Sequence, residues 1–111
     1  MLDKRHVEAN IRKALQELRQ QALEEMPELN EFNPFGVSFD LNGYEECYVS
    51  LVPSSLYPER RFFNVAVSDP ERSASSDLER GTAAELLAYL ASEEAVTEVF
   101  KRACSLREHL S

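Results

Sequence analysis

The 111-residue chain has no tryptophan, three glycines, two cysteines and two histidines, and each scarcity excludes something. Phosphate cradles need a glycine-rich turn before a helix, and Gly36, Gly43 and Gly81 stand far apart. Cys47 and Cys104 are too few for a disulfide framework and lack the C-x-x-C spacing of a metal site. Both read as reduced, partly buried thiols, and the Glu45-Glu46 pair before Cys47 disfavours a thiolate there. His6 and His109 fall near opposite ends of the chain, and neither suggests the positioned partner and pocket that a general base needs. No D-x-D-x-D-G-like run offers a calcium loop. No cofactor, no metal and no catalytic residue is therefore expected. Apolar runs are only a few residues long, and Met1 to His6 lacks the apolar stretch of a secretory leader. Neither a membrane span nor export is expected, and a cytoplasmic address is the default.

The absence that organises the chain is one of positive charge. Between Gln20 and Glu59 there is no Lys, Arg or His, while eight acids occur: Glu24, Glu25, Glu28, Glu31, Asp40, Glu45, Glu46 and Glu59. The remainder holds 12 acids and 12 bases, so the whole net charge of −8 belongs to this one segment. Six of the ten aromatics lie there too: Phe32, Phe35, Phe39, Tyr44, Tyr48 and Tyr57. A fold built from such a chain presents an electrically one-sided surface. Nucleic-acid binding is not expected, because it depends on Lys and Arg displacing counterions from phosphates. A basic protein is the partner such a field attracts, and salt weakens that attraction.

The length and the 43% apolar content suit one domain, residues 1–111, with a single core. Val7, Ile11, Leu15, Leu18, Ala22 and Met26 recur at steps of three and four, which predicts a helix from Asp3 to Met26 stopped by Pro27. The stripe resembles a heptad seam, so it packs on the protein's own sheet or on a second copy. A proline-bounded loop, 27–34, follows, with Leu29 and Phe32 pinned to the core. Phe35, Val37, Phe39 and Leu41 alternate with small or polar residues, the period of a half-buried strand. Asn42-Gly43 signals a turn, and Cys47, Val49 and Leu51 continue the odd-numbered alternation on a returning strand. A two-residue turn would send these three to the wrong face, so an odd-length loop is predicted. A third strand spans 61–68, with Phe63, Val65 and Val67 inward, and its short connection favours antiparallel pairing.

Residues 69–81, rich in Ser, Asp and Glu, read as a mobile loop. Thr82-Ala83-Ala84-Glu85 is a capping box, and Ser92 is a second cap, so two helices are predicted to the C-terminus. The expected fold is α+β: two layers, a three-stranded antiparallel meander in the order α-β-β-β-α-α, with helices on one face. The expected core is Val7, Ile11, Leu15, Leu18, Ala22, Phe35, Val37, Phe39, Cys47, Val49, Leu51, Phe63, Val65, Val67, Leu86, Leu90, Val99, Phe100 and Ala103.

Adjacent carboxylates such as Glu24-Glu25 do not face each other on a helix or strand, so they read as surface charge rather than acid–base pairs. The outward face of the meander is the more informative constellation. By parity it displays Asp40, Glu46, Tyr48 and Phe62, with Tyr44 at the turn and Tyr57 on the adjoining loop. These six are the expected partner-contact residues: the rings supply area at low entropy cost, and the carboxylates select Lys or Arg. A bland alternative is that this face is simply solvated.

The leading expectation is a non-enzymatic acidic domain that docks a basic protein, as an inhibitor or immunity-type neutraliser does. A secretion chaperone or adaptor presents the same charge. The alternatives are a homodimeric scaffold using the heptad-like helix or the outer sheet, and a small hydrolase with a carboxylate of raised pKa in a cleft.

Overall fold

The computed structural model describes residues 4–25, 35–41, 46–53, 62–70 and 73–110. In chain order they form α1 (Lys4–Glu25), β1 (Phe35–Asp40), β2 (Glu46–Pro53), β3 (Phe63–Asp69), β4 (Ala74–Gly81), α2 (Ala83–Leu90) and α3 (Glu93–Leu110). The strands make one antiparallel sheet in the order β1-β2-β3-β4. The α+β class and the meander agree with expectation; the strand count does not, because there are four.

α1 opens with Lys4, Arg5 and His6 and carries no acid in its first turn, so its dipole is not what stabilises it. Packing does. Val7, Ile11, Ala14, Leu15, Leu18 and Ala22 are at most 2% exposed, and α1 lies chiefly on β1. The heptad-like seam is spent on the protein's own core and is closed to a second copy.

In the β1–β2 pair, Phe39 faces Cys47 and Val37 faces Val49, so odd-numbered residues share the buried face. Residues 41–45 join the paired Asp40 and Glu46, an odd number as expected. Gly43 lies outside the described residues, as do Leu29 and Phe32. β3 turns Phe63, Val65 and Val67 to the same interior. Buried Cys47 packs as a small apolar side chain among them.

The fourth strand overturns the reading of 69–81 as a loop. Along β4, half-buried Ala74, Ser76 and Leu78 alternate with exposed Ser75, Asp77 and Glu79. The period of two is therefore present but written in small residues. The ladder slips between Val65 and Ala66, so that Leu78 is one residue more than β3 can match; this is a β-bulge. A polar sequence of poor strand propensity adopts this form because β3 offers its backbone groups along a whole edge. The outermost strand also tolerates charge, which discourages further pairing. The hairpin turn ends at Ser73, whose φ is 51° and whose N–H donates to the Pro70 carbonyl at 3.3 Å.

The two C-terminal helices start where their caps were predicted. The Glu85 amide donates to Thr82 Oγ1 at 3.3 Å and the Thr82 amide to Glu85 Oε1 at 3.2 Å, closing the capping box. Gly81 lies under that box: a Cβ there would meet Glu85 Cβ at 3.3 Å. Ser92 Oγ accepts from the Ala95 amide at 3.2 Å and caps α3. Tyr89 OH donates to Glu98 at 2.8 Å across the corner; burial, then that bond, push the phenol pKa up.

The core follows the expected set with some differences. Ala14, Leu41, Ala95 and Val96 join it. Phe100 sits at its margin, half-buried, with Lys4 Nζ 5.8 Å from the ring centroid. The Phe35 side chain lies outside the described residues.

Candidate docking face

Among the described residues all three helices lie on one side of the sheet, and the even-numbered residues of β1, β2 and β3 point to the other, where Ala66 is buried and Gly36, Ser38, Glu46 and Tyr48 are exposed. Cross-strand rows can be read directly from the register. Asp40 stands opposite Glu46; Ser38, Tyr48, Ser68 and Ser75 form the next row; Gly36, Ser50, Ala66 and Asp77 the next; Val52, Asn64 and Arg80 the last. The middle rows are mostly small, leaving Tyr48 prominent. At 39% exposure it is one of two large apolar or aromatic residues that are exposed rather than half-buried among the described residues, with Leu23 of α1 the other.

Asp40 and Glu46 are the uncommon element. Directly paired residues of antiparallel strands hold their Cβ atoms about 4.5–5.5 Å apart, and like charges in that position destabilise the ladder. Tyr48 lies two residues along β2 on the same face, roughly 7 Å from Glu46. The corner is anchored from behind, where Asn10 Nδ2 of α1 donates to the Asp40 carbonyl at 3.1 Å. Two carboxylates and an exposed ring thus share one end of the sheet. That arrangement suits a cationic side chain, which can pair with the exposed Glu46 carboxylate and lie on the ring.

The structure brings three of the six sequence-predicted contact residues together and separates a fourth. Asp40, Glu46 and Tyr48 are adjacent. Half-buried Phe62 precedes β3 at the other end: Tyr48 pairs with Ser68, six residues further along, which places Phe62 roughly 20 Å from the tyrosine's row. Parity says nothing about position along the strand. Tyr44 and Tyr57 lie outside the described residues. Asp77 was missed because the segment containing it read as a loop; its alternation with Ser76 and Leu78 was the available signal.

On the helical side, α1 and the α2–α3 corner enclose a cleft of about 360 Å³. Arg12 spans it, Nε donating to Glu93 Oε2 at 3.0 Å and Nη2 to Oε1 at 2.6 Å. That hydrogen bond draws the Glu93 pKa below its ordinary value. A hydrolytic acid needs the opposite shift, so this cleft lends the hydrolase reading no poised carboxylate. Among the described residues no group of three His, Cys, Asp or Glu could hold a metal ion, and no helix is long and apolar enough to cross a membrane. Comparison with known protein families, with curated proteins and with solved structures finds no match to this chain.

Proposed function

We propose that this protein is a non-enzymatic binding domain that docks a basic protein on the sheet face opposite the helices. Its contact centre is Asp40, Glu46 and Tyr48. The observation that carries the reading is the cross-strand carboxylate pair beside an exposed ring. A like-charge pair works against the ladder that holds it, and local conflicts of this kind belong to functional positions. A Lys or Arg from the partner can pair with exposed Glu46 and lie on the Tyr48 ring. The net charge of −8 adds long-range steering of the same sign. An inhibitor or immunity-type neutraliser of a cationic protein uses such a face, as does a secretion chaperone or adaptor. A homodimer through this face would bring two copies of the carboxylates together, which that charge opposes.

The partner is captured from the native cell on immobilised protein at low salt and released as salt rises. With the partner purified, Asp40→Lys and Glu46→Lys slow association more than dissociation and flatten its salt dependence. Unchanged association in both variants refutes the site. Sedimentation tests the homodimer: a mass independent of concentration and equal to one chain excludes it.

A further inference from the structure

We propose that the cleft between α1 and the α2–α3 corner is a second docking site, which takes a short extended acidic segment of another protein. The proposal does not rest on the sheet-face reading, since the cleft lies on the opposite layer. Its volume of about 360 Å³ is at the lower end of ligand-sized clefts, which suits a few side chains rather than a helix.

Two arginines of α1 bracket it. Arg12 reaches across to Glu93, and Arg19 donates from Nε to the Leu87 carbonyl at 3.1 Å. That carbonyl belongs to the last turn of α2, where helical partners run out. The two bridges stand seven residues apart, roughly 10 Å along the helix, with Gln16 between them. Leu15, Leu90 and Val96 line the cleft and are at most 3% exposed, so recognition falls to the polar walls.

The charge of those walls selects the occupant. Glu93, the acid lining the cleft, is already engaged by Arg12. Arg19 commits only Nε among the described residues, which leaves both terminal nitrogens in a geometry that matches a carboxylate. One turn further along α1, Leu23 is 45% exposed and offers an apolar contact to a neighbouring side chain of the segment. A Glu or Asp on Arg19 with a Leu or similar residue over Leu23 satisfies both features. An extended chain between the walls also meets the Gln16 amide, which can pair with its backbone. The protein then joins a basic partner on one layer to an acidic one on the other.

The test titrates ¹⁵N-labelled full-length protein with a blocked pentapeptide of alternating Leu and Glu, and with the same peptide carrying Gln for Glu. The acidic peptide is expected to give saturable amide shifts confined to Gln16–Leu23 and Leu90–Val96, and the Gln peptide none. Arg19→Gln is expected to weaken binding at least fivefold. Because Arg19 also holds the end of α2, exposed Gln16→Glu serves as the second variant: it adds an acid to the wall and leaves the Arg12 and Arg19 bridges in place, and weakens binding as well. Shifts that are absent, fall elsewhere, are equal for the two peptides, or persist at full affinity in both cleft variants overturn the proposal.

Discussion

Replacing Glu46 by lysine changes the sign of one member of the Asp40–Glu46 pair, and the fold and the docking site are expected to respond in opposite directions. At a separation near 5 Å in a solvent-like dielectric, two unit charges interact by roughly 0.8 kcal/mol. Measured cross-strand pairs fall at about 0.2–1 kcal/mol. Reversal removes a repulsion and adds an attraction of similar size, so Glu46→Lys is expected to stabilise the protein by about 0.5–1 kcal/mol. Neither residue type favours strands, so propensity does not mask the effect. Urea denaturation at low ionic strength should show the midpoint rising by roughly 0.5 M, since slopes for small domains are about 1–3 kcal/mol per molar. Glu46→Gln removes only the repulsion and should give about half the gain. In roughly 1 M salt, where the Debye length is about 3 Å, most of the difference should vanish. The same lysine variant slows association with a cationic partner. A gain in stability coupled to a loss of binding is the signature of a residue kept against the interest of the fold. If Glu46→Lys and Glu46→Gln are both no more stable than the parent at low salt, the pair is not strained and the central observation behind the docking reading falls.

Other parts of the structure make independent predictions. Ser73 holds a left-handed backbone at φ 51°, which costs a non-glycine residue roughly 1–2 kcal/mol. After the larger unfolded-state entropy of glycine is counted, Ser73→Gly should stabilise by about 0.5–1 kcal/mol in thermal or chemical denaturation; destabilisation would contradict the turn geometry. Leu78 is partly buried against the core from β4, so Leu78→Ser should cost about 1 kcal/mol and reduce amide protection along the strand. A change within the roughly 0.5 kcal/mol typical of exposed loops would return residues 69–81 to the loop reading. The Arg12 hydrogen bond lowers the Glu93 pKa, so its stabilisation is complete above the ordinary carboxylate range and is lost as pH falls through the lowered value. Arg12→Ala should therefore lower the melting temperature slightly near neutrality, with the gap closing below about pH 4; a gap that widens on acidification would show that another group governs it.

Local chemistry decided a large part of this fold. The capping box at Thr82 and the cap at Ser92 place the starts of α2 and α3 within the chain, because each satisfies amides that no helical carbonyl can reach. The three- and four-residue steps from Val7 to Ala22 fix which side of α1 is buried. The parity of Phe39, Cys47 and Val49 fixes an odd connection between β1 and β2, since a one-residue slip would turn an entire set of apolar side chains into water. Charge segregation was equally plain, being a count along the chain.

Tertiary structure decided what such patterns leave unspecified. β4 exists because β3 has an open edge of backbone donors and acceptors, a demand that arises in space and leaves little trace in a segment of serines and acids. Parity assigned Tyr48 and Phe62 to one face, but only the ladder register showed how far apart they lie along the strands. The same register placed Asp40 directly across from Glu46, a pairing that an odd loop permits and the ladder fixes. The bridges from Arg12 to Glu93 and from Arg19 to Leu87 likewise join residues 81 and 68 positions apart. Sequence thus determined which side chains are buried, through periodicity, while the meeting of charges awaited the packing of α1 and the pairing of strands, because electrostatic proximity depends on distance in space rather than along the chain.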